Sequence, residues 1–214
     1  MDASRAHLFT AIIRNAIRKD SAAKREGARH IVALGGIMCL FKREVKPYAK
    51  YEMWSRVLCW DRKWFYLITH LVKPGYGRPK NWTLQPWRKT RSSTQGVDSE
   101  KLMGAVYATS IAKYVVKKGR LTISPEQALR DADMVPVKPE GWEYQPQTTL
   151  NGHANGDVLP ESVKADDWTW DVIEKERQRG LAIVKGFADM EGLHEAFDGG
   201  KDGVLGEFKD LILF

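Results

Sequence analysis

The sequence predicts an α+β fold, in which one helix precedes a run of antiparallel strands. Two patterns carry this prediction. Near the N-terminus, apolar residues recur at the three- and four-residue spacing of a helix face: Leu8, Ile12, Ile13, Ala16 and Ile17. The segments that follow are apolar or alternating runs joined by tight turns, which is typical of strands. A helix ahead of such strands is expected to lie against one face of their sheet.

Four strands and two further helices are predicted after the first helix. The strands are predicted over residues 30–45, 51–60, 64–72 and 106–116, and the helices begin at residues 125 and 168. Gly35 and Gly36 interrupt the first strand and mark a bulge or a close approach of another group. Ser124 before Pro125 is a helix start signal, since Ser caps the first turn and Pro suits its first position.

The chain divides into three predicted regions. Residues 1–134 form the main domain, and residues 74–100 are a loop insertion within it, because Gly, Pro and Ser break the strand pattern there. Residues 135–167 lack periodicity and are predicted as a linker. Residues 168–214 hold the last helix and a tail. Apolar residues line one side of that helix: Val172, Ile173, Leu181, Val184 and Phe187.

Composition places the chain among ordinary globular proteins. Its 214 residues are 43% hydrophobic and 29% charged, and no apolar run approaches the roughly 20 residues that span a bilayer. Two cysteines are too few for a disulfide scaffold. Arg5, His7 and Arg14 interrupt any signal-peptide apolar region. We therefore expect a soluble cytoplasmic protein with no membrane span.

The net charge of +7 favours anionic partners but does not choose among them. The excess lies in residues 14–29 and 73–91, and solvated surface is the preferred interpretation of both runs. Trp82 and Trp87 are interleaved with basic residues, as on surfaces that stack single-stranded nucleic acid. Because the predicted strands show no matching row of aromatic and arginine residues, we expect no nucleic-acid partner.

Standard catalytic and metal motifs are absent from the sequence. There is no Walker loop, no GxGxxG after a strand, no HExxH and no GxSxG. Cys39 and Cys59 form no CxxC pair and the histidines show no metal-type spacing, so no metal or cofactor is expected. Cys39 is interpreted as a buried, inert thiol, and His70 as a packed or surface residue of a strand rather than a base.

Long ordered blocks nevertheless resemble a known family. The blocks are VALGGIMCLFKREVKPY from residue 32, YEMWSRVLCWDRKWFYL from residue 51, residues 107–125 and the helix over residues 170–193. They are similar to the thioesterase-like proteins found beside polyketide synthases in fungal gene clusters. Those proteins are related to the thioesterase-superfamily member-six-like proteins of animals and to 4-hydroxybenzoyl-CoA thioesterase-like proteins. The resemblance covers nearly all of the chain outside residues 74–100 and 139–166.

The resemblance implies a hotdog fold, in which a curved antiparallel sheet wraps a long central helix, here with a C-terminal helical extension. It also implies a homodimer with the active site at the subunit interface. The substrate would be an acyl thioester on coenzyme A or on a carrier protein, and a polyketide synthase is an implied partner. Such hydrolysis uses a carboxylate to activate water or attack the carbonyl, and amide donors for the oxyanion.

Four residues are candidates for the site by this resemblance. Asp2 and Arg5 match an Asp and an Arg of the family's central helix. The family's usual catalytic Asp lies ahead of that helix, whereas this chain is expected to begin inside it. Asp2 is therefore the remaining candidate carboxylate, with a helix-start charge as its alternative role. Arg5 is expected to contact an ion-pair partner or the substrate channel, and Gly35 and Gly36 to line the acyl channel.

Two functional hypotheses stay open. The first is a thioesterase that releases or edits a polyketide or fatty acyl thioester in secondary metabolism. The second is a non-catalytic hotdog protein that binds acyl groups or scaffolds a dimer and has lost the catalytic carboxylate. A missing first strand would leave a sheet edge exposed, so we expect a partner subunit to cover it.

Overall fold

The computed structural model describes residues 2–22, 30–77, 99–144, 169–190 and 194. These ranges contain a mixture of helices and antiparallel strands, which confirms the predicted α+β class. In chain order, the elements are α1 (Asp2–Ala22), β1 (His30–Phe41), β2 (Glu52–Trp60), β3 (Phe65–Val72), α2 (Ser99–Ala105), β4 (Val106–Lys118), β5 (Leu121–Ile123), α3 (Pro125–Asp131) and α4 (Trp170–Ala188).

The strands form one five-stranded antiparallel sheet in the order β1-β4-β3-β2, with β5 added beside the end of β4. β4 is the central strand. β1 follows one side of it, from His30 opposite Lys118 to Phe41 opposite Ala108. β3 pairs with the other side as far as Tyr114, and β5 continues from Val116. β1 and β2 are therefore the outer strands of the described sheet.

α1 packs on one face of the sheet, called the α1 face below. Phe9, Ile12, Ile13 and Ala16 are its buried apolar residues. The Phe9 ring meets the rings of Phe65 and Tyr114 edge-on, at 5.6 and 5.0 Å between centroids. The spacing argument left out Phe9 and included Ile17, which is 40% exposed. The apolar face that α1 packs on the sheet therefore differs slightly from the predicted one.

α3 packs beside the C-terminal half of α1, where Ala128 and Leu129 join the same core. The predicted start of α3 is confirmed, since the Ser124 hydroxyl accepts a hydrogen bond from the Gln127 backbone N–H at 3.3 Å. The Asn15 side chain also donates to the Ala132 carbonyl at 3.2 Å. The Asn15 bond ties the end of α3 to α1.

α4 covers part of the opposite face, called the α4 face below. Val184 and Phe187 pack there against side chains of three strands: Leu58, Cys59, Tyr66, Ile68 and Ile111. Arg177 forms a 2.6 Å ion pair with Glu174 and donates to the Trp60 carbonyl at 2.9 Å. Glu174 falls in the polar stretch of the sequence pattern but is buried, because Arg177 and Gln178 satisfy its carboxylate.

Three predicted details differ in the structure. The β2–β3 connection runs over Asp61–Trp64 rather than two residues, because Asp61 accepts hydrogen bonds from the Lys63 and Trp64 backbone N–H groups. β1 ends at Phe41 rather than at residue 45. α2 was not predicted, and most of the predicted 74–100 insertion lies outside the described residues. No helix in the described ranges is long and apolar enough to cross a bilayer.

The contact between α4 and β2 depends on a glycine. A methyl group at Gly180 would lie 2.5 Å from Cys59 Cβ and 2.7 Å from the Leu58 carbonyl oxygen. Gly186 lies six residues further along α4 and has nothing within 4 Å of the same position. The two glycines therefore form a matched pair, one pressed against a strand and one facing open space.

We expect Gly180→Ala to lower the free energy of unfolding by about 1–3 kcal/mol, because the methyl group overpacks the helix–strand contact. Gly186→Ala should raise it by about 0.5–1 kcal/mol, because alanine favours the helix. Urea unfolding of both variants measures the difference. Stabilisation of equal size in both variants would contradict the close packing of α4 on β2.

Candidate functional site

A chain of hydroxyl groups lies beneath the first turns of α1 on the sheet. Ser55, Thr69 and Ser110 are cross-strand neighbours on β2, β3 and β4. The Ser55 and Thr69 hydroxyls are 2.7 Å apart, and the Ser4 hydroxyl is 2.8 Å from that of Ser55. Arg5 completes the chain, donating from Nη2 to Ser110 Oγ at 2.7 Å and from Nε to Thr69 Oγ1 at 3.4 Å. We call these five residues the hydroxyl cluster.

The Arg5 side chain is fully buried in this cluster. A guanidinium that leaves water must keep its hydrogen bonds, since an unsatisfied buried charge costs several kcal/mol. The hydroxyls of Thr69 and Ser110 supply acceptors at fixed positions on the two inner strands. The cluster therefore holds the start of α1 in one position on the sheet.

An apolar groove runs beside the hydroxyl cluster, between α1 and β1. It encloses about 420 Å³. Its walls come from α1 on one side and from β1 and β4 on the other: Ala6, Phe9, Thr10, Ile13, Ile17, His30, Val32, Leu34 and Tyr114. The polar groups in this lining are His30 and the hydroxyls of Thr10 and Tyr114. Such a surface suits an apolar chain with few polar atoms.

Gly35 and Gly36 lie away from the groove, on the α4 face. The register of β1 shifts between Leu34 and Gly36, which confirms the predicted bulge. A methyl group at Gly35 would lie 2.1 Å from the Trp64 ring, and one at Gly36 would lie 3.5 Å from the Phe187 ring. Both rings belong to the core on the α4 face. The two glycines thus admit core side chains there, and the structure does not bring them together with Arg5.

Val32 and Leu34 line the groove from β1, although the sequence pattern singled out neither. Asp2 is the first residue of α1, and its side chain lies outside the described part of the structure. The serines of the hydroxyl cluster were also missed. The strand hydroxyls have a weak sequence signal, which is at least one Ser or Thr within each of three apolar strands, and only the pairing register aligns Ser55, Thr69 and Ser110.

Cys39, which was expected to be buried, is only partly buried in the structure. The other two titratable candidates, Cys59 and His70, lie on the α4 face. Cys59 is fully buried there, and burial together with the Asp61 charge raises the pKa of its thiol to about 12. It is therefore a protonated, unreactive thiol. His70 is half-buried and hydrogen-bonds through Nδ1 to the Thr109 hydroxyl at 3.0 Å. Burial and then the Arg56 charge lower the pKa of His70. Thr69 faces α1, so the adjacent His70 faces away from the groove.

Metal ligation has no support in the described ranges, where no three His, Cys, Asp or Glu side chains come together as a ligand group. The site that the structure does assemble suits an organic ligand. It combines an apolar groove, a buried cation and a row of hydroxyl groups at one end of a long helix.

Comparison with known proteins finds relatives that are named as thioesterases or probable thioesterases. A probable thioesterase of Emericella nidulans, atnL, is 33% identical over 182 residues, which are 85% of this chain and 52% of that protein. The thioesterase poxG of Penicillium oxalicum is 33% identical over 221 residues, covering 96% of this chain and 66% of the relative. The thioesterase lcsJ of Purpureocillium lilacinum is 33% identical over 178 residues, covering 81% and 50%.

The chain spans about half to two thirds of the length of these curated relatives. No family model matches it, and no solved structure matches it either.

The lowered pKa of His70 makes stability depend on pH. His70 protonates in the unfolded chain near its ordinary value of 6.5 but only at lower pH in the folded protein. The unfolded state therefore binds more protons below that pH, and stability falls as the pH falls. We expect His70→Gln to remove this part of the loss between about pH 7.5 and about pH 5.5, measured by urea unfolding.

Arg56→Gln serves as the companion variant, because it removes the second cause of the shift and leaves the imidazole in place. The pKa of His70, followed by NMR, should rise in this variant while staying below its ordinary value. A His70 resonance that titrates at or above the ordinary value in the wild-type chain would contradict the burial argument.

Proposed function

Because the chain belongs to the thioesterase-like proteins of fungi, we propose that it hydrolyses an acyl thioester whose acyl chain lies in the groove between α1 and β1. The groove is the single observation that carries this proposal. The acyl group would be of the fatty or polyketide kind, delivered on coenzyme A or on a carrier protein. A polyketide synthase is the corresponding source of such a carrier.

The dimensions of the groove fit an extended acyl chain. The lining residues of α1 run from Ala6 to Ile17, a rise of about 17 Å along the helix. Each methylene group buried from water contributes about 0.8 kcal/mol to the free energy of binding. A medium or long acyl chain would therefore be bound mainly through the number of methylene groups that it buries. The Tyr114 hydroxyl is the place where a polyketide carbonyl could accept a hydrogen bond. The Thr10 hydroxyl donates to the Ala6 carbonyl at 2.8 Å, so it could accept from a polyketide hydroxyl.

Hydrolysis needs three things of the protein. A base must take a proton from water as its oxygen adds to the thioester carbonyl, donors must hold the oxyanion, and the thiol must leave with a proton when the C–S bond breaks. Asp2 at the start of α1 stays the candidate carboxylate, since the described groove residues include no Asp or Glu. Arg5 is proposed as a positioning residue that holds this end of α1 on the sheet.

We also propose the hotdog arrangement for this domain, with α1 as its long helix. Support comes from the 21 residues of α1, their packing across the central strands and the antiparallel order β1-β4-β3-β2. In such a domain α4 would be an addition on the outer face of the sheet.

A second copy of the chain is the proposed partner at the β1 edge. β1 has 12 residues, pairs only with β4 among the described strands, and exposes a series of large apolar side chains: Ile31, Leu34, Ile37, Leu40 and Phe41. A long apolar edge of this kind invites pairing with another strand. Because Leu34 also lines the groove, a second copy at this edge would close the groove's open side.

Thiol release from decanoyl-CoA and acetyl-CoA tests the activity. We expect Ala6→Phe to lower kcat/KM for decanoyl-CoA about tenfold, because the ring fills the groove, with a smaller effect on acetyl-CoA. Ala11→Phe is the matched control, since Ala11 lies about 140° around the helix from Ala6. Binding of a decanoyl group without any thiol release would favour the acyl-binding hypothesis, and neither binding nor release would contradict the groove assignment.

Light scattering tests the dimer. We expect the wild-type chain to be a dimer and Ile37→Lys to shift it towards a monomer, because a buried lysine has no partner at a strand pair. Ile183→Lys is the matched control, since Ile183 on α4 is 54% exposed and Ile37 is 49% exposed. A monodisperse wild-type monomer would rule out the proposed pairing of β1 edges.

A further inference from the structure

A second cavity lies at the C-terminal end of α1, beyond the far end of the apolar groove. It encloses about 500 Å³ between α1, the β4–β5 hairpin and α3. Charged and amide side chains dominate its lining, in contrast to the groove: Lys19, His30, Lys118, Gln127, Arg130 and Asp131. We call it the basic cavity.

The basic cavity continues the line of the groove. His30 lines both, and Ala16 of the basic cavity is adjacent on α1 to Ile17 of the groove. His30 is also the cross-strand partner of Lys118, so the first residues beyond the groove on the sheet side are polar or charged. A ligand that follows α1 from Ala6 past Ile17 therefore passes from an apolar surface to a charged one.

The direction in which a substrate would lie follows from the candidate carboxylate. Asp2 is at the N-terminal end of α1, so the thioester belongs at that end and the acyl chain runs towards Ile17. An extended chain advances about 1.2 Å per bond, so the roughly 17 Å from Ala6 to Ile17 accommodates about 14 bonds. The end of a chain of that length lies at His30, where the basic cavity opens.

The charge balance of the basic cavity favours an anionic group at this end of the chain. Lys19, Lys118 and Arg130 bring cations from α1, β4 and α3, and Asp131 is the one carboxylate among the lining residues. Asp133 adds a second carboxylate through a 2.7 Å ion pair with Lys19. Three cations against two carboxylates leave an excess of one positive charge.

Arg130 is the cation best placed to bind an anion. Lys19 is already engaged, since its Nζ also donates to the Asp131 carbonyl at 3.2 Å. Glu126 lies one turn before Arg130 on α3 but pairs with Lys138 at 3.3 Å. Within the described ranges Arg130 forms no ion pair. A guanidinium can bind a carboxylate through two parallel hydrogen bonds, so this side chain suits a carboxylate ligand.

We propose that the acyl group carries a carboxylate at the end remote from the thioester, and that Arg130 and Lys118 bind that carboxylate in the basic cavity. The substrate class is then an acyl thioester with an acidic far end, in place of one that ends in a methyl group. This inference rests on the proposed function, because it assigns the far end of the acyl chain that the groove is proposed to hold.

Calorimetric titration of the intact chain with unreactive substrate analogues tests the proposal without any turnover. The probes are the N-acetylethylenediamine amide of tetradecanoic acid and the corresponding monoamide of tetradecanedioic acid. They differ only in a methyl group or a carboxylate at the far end. We expect the carboxylate-ended amide to bind about tenfold more tightly, because it gains charge-assisted hydrogen bonds in the basic cavity.

Two variants locate the preference. Arg130→Gln should raise the Kd of the carboxylate-ended amide about tenfold and leave that of the methyl-ended amide unchanged. Arg18→Gln is the matched control, since it removes the same charge from an exposed position of α1 outside the cavity lining, and it should change neither Kd. Added salt should weaken binding of the carboxylate-ended amide alone.

The outcomes separate this inference from the proposed function. Equal or weaker binding of the carboxylate-ended amide overturns the acidic far end and leaves the groove assignment standing. An Arg18→Gln variant weakened as much as Arg130→Gln overturns the assignment to the basic cavity. A carboxylate preference in a chain that releases no thiol from the matching N-acetylcysteamine thioester counts against hydrolysis alone. Binding of neither amide contradicts the groove and, with it, this inference.

Discussion

The buried guanidinium of Arg5 determines where α1 lies on the sheet. It donates hydrogen bonds to Ser110 on β4 and to Thr69 on β3, the two inner strands. Because a charge in that position is tolerated only while those acceptors remain, the helix cannot slide or rotate without losing them. Arg5 therefore fixes the N-terminal end of α1 over the two inner strands, and Phe9, Ile12 and Ile13 pack the helix on the sheet beyond it.

The two faces of the sheet consequently differ in what they can do. On the α4 face, Trp64 fills the bulge at Gly35, and Lys113 extends between the Trp64 and Phe187 rings, with its Nζ 5.0 and 5.5 Å from their centroids. Side chains occupy the space there, and the contacts are those of a packed core. On the α1 face, the helix covers the central strands but leaves the apolar groove open. The α1 face therefore has room for a ligand.

The sequence pattern predicted the elements well and the site poorly, for physical reasons. Helical spacing, strand alternation and the Ser124 cap are local signals, so α1, β1 to β4 and α3 could be predicted from neighbouring residues, whereas the short strand β5 and helix α2 could not. The groove and the hydroxyl cluster arise from pairing between distant segments. Thr69 and Ser110 become neighbours only through the β3–β4 register, which no local pattern specifies.

The glycines illustrate the same limit. Two glycines in a strand predict a bulge or a close approach, and both features occur at Gly35. The pattern does not say which face the approaching group comes from. Alternate residues of a strand point to opposite faces of the sheet, and the extra residue of the bulge shifts this alternation by one position. Leu34 and Ile37 therefore point to the α1 face, while Gly35 and Gly36 both lie against the α4 face. The structure thus places Gly35 and Gly36 on the opposite side of the strand from Arg5, and their role in lining an acyl channel stays a prediction.

The position of β1 links the remaining features into one argument about the substrate. Val32 and Leu34 of this strand line the apolar groove, and the same strand carries the exposed apolar edge. Pairing with a second copy at that edge would therefore cover the groove on the side that α1 leaves open. An acyl chain in the groove would then be shielded from water by α1 and by the partner subunit together, which is the environment that an apolar chain favours.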